Sequence, residues 1–568
     1  DITFNGPVSL GGENISTFTA SRHINIYNTI SVTGTTAASG IALVYNKTNG
    51  SGDFNFGLTT SGSGANLAAS FRGAINFAST ASSFTTQNNT ALKSYTLVSD
   101  FTASNPSTST FYCSTTQQCG GSNAVNFALA SNIDASTFTS NGLVGGSKLA
   151  NMRAIGPNGN IGYAGTFLGL GHAITGLSLS GSSNVGLFNT TTTNALVRDL
   201  KITGAVVTGG TNTGTLIGNA GSSLTMRNVV LDGSSTVSAT GDYVGGLIGT
   251  SSSGNLNFAY VLSTNVSGVG YVGGVVGSNG LSATQVHKVG NVTGTSGRVG
   301  GAFGTSSGTL SYVDSVGTVT LNGSGFRVGG LVGEASGNFS NTDVVGAVAA
   351  TNSYEVGGLI GYYSSGTLTT VTTSGGAITG TYNVGGLIGN SYSTSYIIAG
   401  SASGNVTGSS NNVGGLVGQM YMGNSTITNS NATGNVQGTY SVGGLVGYMD
   451  IDYIRTISNS YAQGTVTGTA TGTGYVGGLV GDIYGYLNIY ASSYRGPSVT
   501  SAGSGVGGLL GQNLYRTTDI RNSYVSMSGV AEVKGTYNGT QLNASSIEVN
   551  SCGLSVSAND IGEIEGII

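Results

Sequence analysis

Tryptophan is absent from these 568 residues, and there are only four prolines, three cysteines and three histidines, with charged side chains at 7%. Each shortage excludes something. So little proline and so few charges rule out the Pro-rich and highly charged classes of disordered chain. Seventeen Lys plus Arg against 21 Asp plus Glu leave a net charge of −4 with no basic run, so no stripe of counter-charge exists to follow phosphates and nucleic acid is not an expected partner. No apolar run reaches the ~18 residues that a membrane-spanning helix needs. Three isolated histidines, His23, His172 and His287, leave little material for acid–base chemistry or metal ligation, and for His172 a structural hydrogen bond is the expectation. The chain opens at Asp1 in strand-like sequence without a charged and apolar leader, which reads as a processed product or a piece of something longer.

What abounds is glycine, 100 residues of it, placed in register. The tract Val-Gly-Gly-Leu-Ile/Val-Gly begins at Val244, Val272, Val299, Val328, Val356, Val384, Val413, Val442, Val476 and Val506, with weaker copies from Val185 and Thr213. Neighbouring copies lie 27 to 34 residues apart, most often 28. A fixed period of this size marks a stack of supersecondary units, none of which can bury its apolar face alone. Richness in Gly, Ser and Thr would by itself suit disorder, but Val, Ile and Leu recur between the glycines instead of thinning out.

Within a repeat, short β-branched runs alternate with Gly, Asn and Ser, as in Ile457-Ser-Asn-Ser-Tyr-Ala-Gln-Gly followed by Thr465-Val-Thr-Gly. Strands and turns are written this way, and no glycine-free segment of ten residues has helical periodicity, which excludes helical solenoids. The predicted fold is all-β: an elongated right-handed parallel β-helix, one coil of about 28 residues per repeat and three short strands per coil. Twelve coils would span roughly 55 to 60 Å. Glycine at the corners is expected for its freedom to adopt positive φ. Strict alternation puts Val442 and Val446 on one face and Leu445 on the other, unless a bend at Gly443-Gly444 brings both inward.

Four segments are predicted: coils of a different sequence over 1–102, an excursion over 103–151, the repeat array over 152–511, and terminal coils with a cap or cut end over 512–568. Cys113 and Cys119 lie six apart in the excursion. A disulfide between them would close a small ring worth ~2 kcal/mol and imply an oxidising compartment. The spacing lacks the pattern of a zinc site, and Cys552 is left over.

Several stretches carry a resemblance. His23-Ile-Asn-Ile-Tyr-Asn-Thr-Ile-Ser-Val-Thr-Gly, Ser94-Tyr-Thr-Leu-Val-Ser-Asp, Phe127-Ala-Leu-Ala-Ser-Asn-Ile-Asp-Ala-Ser, and Gly165-Thr-Phe-Leu-Gly-Leu-Gly-His-Ala-Ile-Thr-Gly-Leu leading into the array resemble filamentous-haemagglutinin-type exoproteins of two-partner secretion that bear GLUG repeats. That resemblance implies a secreted or cell-surface bacterial adhesin or biofilm matrix fibre, a rigid stalk exported through an outer-membrane transporter. Its expected partners are surface glycan, matrix polysaccharide, host or neighbouring cells, with self-association open. The family's amino-terminal secretion domain is not visible here. GLUG repeats also accompany zinc peptidases that cut immunoglobulin A, whose His-Glu-x-x-His is missing.

No cofactor, metal or catalytic residue is predicted and the chain is not expected to be an enzyme. The rival class is a polysaccharide-processing β-helix enzyme, for which Asp450 and Asp452 would supply paired carboxylates on one strand face; a solvated loop is the simpler reading. Thr318-Val-Thr320, Thr367-Leu-Thr369 and Thr465-Val-Thr467 raise ice binding, although the pairs are intermittent. The candidate ligand-contact strip is aromatic. Measured from each repeat's Val, tyrosines recur six to ten residues on, at Tyr362, Tyr363, Tyr392, Tyr421, Tyr448, Tyr484, Tyr486 and Tyr515. Stacked coils would align them, offering apolar faces with polar tips, or else a ladder that only stabilises the coil. A second set, Tyr243, Tyr271, Tyr354, Tyr382, Tyr440 and Tyr475, precedes the Val by one or two residues and is expected to serve packing.

Overall fold

A computed structural model describes residues 1–47, 51–89, 91–100, 124–136, 162–450, 453–513 and 518–526. Cys113, Cys119, Cys552, Asp452 and Tyr515 lie outside the described residues, as do nearly all of the predicted terminal segment and most of the excursion. Residues 126–129 of that excursion instead form a coil strand: Phe127 and Ala128 are buried and pair in parallel with Thr96 and Leu97 on one side and Phe167 and Leu168 on the other.

Apart from one 3-10 turn, Gly64–Asn66, the regular elements among the described residues are all β-strands, with no α-helix. They divide into two units, one comprising 1–267 with 274–290 and the other 268–273 with 291–568. Each is a stack of parallel coils, as expected of a parallel β-helix. In the second unit a coil has four strands where three were expected. The coil around Val384 shows them: Gly366–Ser374, Ile378–Gly380, Val384–Gly385 and Ile388–Ser391. Each pairs in register with its equivalent in the next coil, Leu368 with Ile397, Ile378 with Val406, Val384 with Val413 and Ile388 with Val417. We call these the first to fourth faces. Stacks of like apolar residues fill the interior, and Val328, Val356, Val384, Val413, Val442 and Val476 form one fully buried column.

The repeated tract is the sharp elbow between the third and fourth faces. Val442, Leu445 and Val446 are all fully buried, because the chain bends between Ser441–Gly443 and Val446–Met449. The bend keeps its inter-coil bonding: the amides of both Leu359 and Ile360 donate to the Leu387 carbonyl of the next coil, each at 2.9 Å. Glycine is needed here for space and not for the positive φ that corners were expected to demand. A Cβ on Gly357 would stand 2.0 Å from the Ile360 carbonyl oxygen, one on Gly358 2.1 Å from that of Gly386, and one on Gly361 2.5 Å from the Val328 nitrogen.

Positive φ is taken as expected by glycines at another corner, Gly317, Gly346 and Gly375 between the first and second faces, and left-handed backbone also occurs in the middle of the first face. There Tyr312, Asn341, Thr370, Ala399, Asn429, Asn459, Ala491 and Asn522 take φ between 47 and 55°, kinking one strand per coil. In the later coils a serine follows the kink and repairs the ladder. Ser430 donates its amide to the Ser460 hydroxyl at 3.1 Å and Ser460 to that of Ser492 at 3.2 Å, while the Ser460 hydroxyl donates to Ser458 O at 2.7 Å. These buried hydroxyls are thereby satisfied in both roles.

The first unit begins with coils of different sequence. Ile2–Phe4, Ile24–Ile26 and Phe54–Asn55 pair in parallel, as do Val8–Leu10, Thr29–Val32 and Ala74–Phe77. Two antiparallel pairs interrupt them: Leu58–Ser61 with Ala68–Phe71, and Ser83–Asn88 with Ala91–Val98, whose strands also pair in parallel with Gly40–Tyr45 and Asn126–Leu129 and so belong to the stack.

Candidate functional site

Strand alternation on the fourth face decides where the candidate tyrosines point. In Ile360–Tyr363 the outward position is Tyr362, in column with Glu334 and Asn390. Tyr363 is inward. Its ring is 0% exposed and its hydroxyl donates to Gly337 O at 2.7 Å, so it leaves the proposed strip and belongs to the core. The remaining rings assemble in two runs. The Tyr392 ring centroid lies 5.7 Å from that of Tyr362 and 5.4 Å from that of Tyr421, and those of Tyr448 and Tyr484 lie 5.8 Å apart. Tyr486 begins the first-face strand Tyr486–Tyr490 and is 36% exposed. Burial and the neighbouring Asp450 carboxylate, which accepts the Tyr448 hydroxyl proton at 3.2 Å, raise the Tyr448 phenol well above its usual range. Asp450 therefore supports a tyrosine, in the turn after Val446–Met449.

A second aromatic row lies on the third face, two residues before the repeat's Val. Phe326, Tyr354 and Tyr382 stack face to face, with centroids 5.6 and 5.2 Å apart and planes within 19° and 11°. Expected to serve packing, this row is instead open to solvent, with Phe326 64% and Tyr354 49% exposed. Phe326 escaped a reading that tallied tyrosines alone, although its offset from Val328 equals that of Tyr354 from Val356.

Between these rows runs a charged seam. Arg327 pairs with both Glu334 and Glu355, Arg298 pairs with Glu334, and Asn390 donates to Glu355 at 2.8 Å. The Arg327 guanidinium carbon sits 3.9 Å from the Tyr362 ring centroid, and Arg298 lies over Tyr271 at 4.7 Å while donating to its hydroxyl at 2.7 Å. Tyr271 thus does pack, against an arginine. Arg298 and Arg327 outweigh burial and hold the Glu334 carboxyl below its usual range. The seam fixes the Tyr362 ring from behind through cation–π contact. Farther along, the fully buried Arg455 donates to the carbonyls of Tyr421 at 2.9 Å and Asp450 at 2.6 Å, which pins the turn carrying Tyr421.

The histidines are occupied elsewhere. His172 is buried and bonds through Nε2 to Ile75 O at 2.8 Å, and burial brings its pKa down to about 4. His287 stacks on Tyr260 at 5.1 Å. Among the described residues no three His, Cys, Asp or Glu side chains gather as metal ligands would, and no helix is long and apolar enough to cross a membrane. On the second face the threonines form one column, Thr293 with Thr320, Thr379 with Thr407 and Thr467 with Thr500, broken by Ala349 and Gln437.

The fold and the elbow tract together define a parallel β-helical repeat protein. Residues 409–437 match the GLUG motif. Halomucin of Haloquadratum walsbyi is 34% identical over 126 residues, which are 22% of this chain and 1% of that protein, so the chain spans a very small part of the relative's length. No solved structure matches.

Proposed function

We propose that the chain is part of a secreted or cell-surface repeat protein that works by adhesion, its second unit presenting aromatic rows as a multivalent contact surface for glycan, matrix or neighbouring cells. The observation that carries this reading is the solvent-exposed stack of Phe326, Tyr354 and Tyr382 beside the run Tyr362, Tyr392 and Tyr421. Exposed apolar faces cost stability unless something covers them, and flat rings with polar edges suit the faces of sugar rings. Equivalent sites one coil apart would let weak contacts add. The GLUG match and the likeness to halomucin, a mucin by name, support an extracellular setting. The two-partner-secretion resemblance adds an outer-membrane transporter as the route of export.

The test is a glycan array and a cell-adhesion assay on the chain carrying Phe326→Ala, Tyr354→Ala and Tyr392→Ala together, its circular dichroism matching the unaltered protein. Binding should fall at least tenfold. Binding that persists unchanged removes the rows from function, and glycan cleavage by the unaltered protein replaces adhesion with catalysis.

A further inference from the structure

A cavity of about 520 Å³ opens in the first unit where the strands Gly40–Tyr45 and Ser83–Asn88 meet Leu196–Thr203 and Leu224–Asp232. Its charge is unlike that of the chain. Lys93, Arg198 and Arg227 line it against one carboxylate, Asp53, in a protein of net charge −4. Asp53 bridges both arginines, and it accepts from Arg198 at 2.9 and 3.0 Å. Arg198 is fully buried, lies 4.2 Å over the Phe54 ring, and also pairs with Asp199 and donates to Phe54 O at 2.6 Å. These contacts occupy Arg198 and both aspartates, leaving one cation in excess. Arg227 is one-third exposed and its Nε has no hydrogen-bond partner, while the Lys93 ammonium donates to the neutral hydroxyl of Thr166 at 2.9 Å and pairs with no carboxylate among the described residues. The rest of the wall is aromatic and polar, with Tyr45 and Tyr95 beside Thr86, Asn46 and Asn88, among which Asn46 donates to Asn88 and the Thr86 and Tyr95 hydroxyls bond each other.

We infer that this cavity binds the carboxylate of an acidic sugar, a uronic acid unit at a chain end or branch, between Lys93 and Arg227. The volume falls within the range of small-molecule sites. A carboxylate supplies the missing counter-charge, and charge-assisted bonds to Lys and Arg discriminate it from a neutral hexose. This site is separate from the aromatic rows of the second unit, and each stands or falls alone.

Isothermal titration of the full chain with a galacturonic acid trisaccharide, the matching neutral galactose trisaccharide and sodium sulfate tests it. The uronate should bind about tenfold or more tighter than the neutral sugar and weaken with salt, and Lys93→Gln and Arg227→Gln should each cost about fivefold or more. Lys93 is exposed overall, although burial of its ammonium lowers its pKa, so Lys93→Gln with an unaltered melting curve remains decisive even where Arg227→Gln unfolds the unit. Equal binding of the neutral sugar, equal binding of sulfate, no heat at millimolar uronate, or indifference to Lys93→Gln overturns the proposal.

Discussion

Single side chains carry charges whose burial sets how the protein responds to pH. Asp482 is the clearest. It is buried on the fourth face, its Oδ1 lacks a partner, and its register neighbour Gln512 also has an unpartnered oxygen. Burial pushes its pKa up to about 7, against the pull of the Ile483 amide and the Ser441 hydroxyl. An unfolded aspartate titrates near ~3.9, so the folded state holds the proton more tightly. This group's contribution is therefore fully present below about pH 4, declines as pH rises toward 7, and stays lost above. Asp482→Asn should raise the melting temperature at pH 8, change it little at pH 4, and flatten that part of the stability profile, as differential scanning calorimetry would show. Arg198 gives the opposite case, a buried cation held charged because Asp199 and Asp53 outweigh its desolvation. Arg198→Met should destabilise the first unit by ~3–5 kcal/mol, since it leaves the buried Asp199 carboxylate without its cation and takes from Asp53 one of its two. In urea titration Arg198→Met with Asp199→Asn should cost less than the single change; a larger loss in the double variant would refute the pairing.

Elements are decided by what each strand position faces. Tyr362 and Tyr363 are adjacent, yet one faces solvent over Arg327 and the other fills the coil. Tyr363→Ala should cost ~3–5 kcal/mol through the void it leaves, and Tyr362→Ala far less. Chemical denaturation reads both, and equal losses would contradict the inward assignment. At the elbow, Gly358→Ala forces a Cβ to within 2.1 Å of the Gly386 carbonyl, whereas a Cβ on Gly472 meets nothing within 4 Å. The first change should destabilise by ~3 kcal/mol, the second by no more than about 0.5 kcal/mol. The elbow was visible in the sequence as a recurring tract. The first-face kink was not, because the kinked position holds Tyr, Thr and Ala as readily as Asn.

At the scale of a unit, the described coils pair with their neighbours along the stack, so energy is shared along one dimension. A lesion should then spread by nearest-neighbour loss. Hydrogen exchange in Gly358→Ala should quicken in the coils of Val328 and Val384 and fade within the second unit toward that of Val476. Uniform acceleration across that unit would show a cooperative block instead of a stack. The same linearity gives the aromatic rows their reach, since rings spaced by the coil repeat meet a polymer at many points at once.

Sequence alone determined the all-β parallel stack and the stacking of valine on valine from coil to coil, because a period near 28 residues with glycine in register lets like apolar residues bury one another; it left open whether the chain bends at Gly443-Gly444. It also put Tyr362, Tyr392 and Tyr421 in one neighbourhood. Only the tertiary structure decided which rings face water, that Tyr363 is core and Phe326 is surface, and that Lys93, Arg198 and Arg227 converge with Asp53 across more than a hundred residues of chain. The physical reason is that repeat spacing fixes which residues share a column, while the direction of a side chain depends on where the backbone bends. A cavity, in turn, is made by residues whose separation in sequence has no period at all.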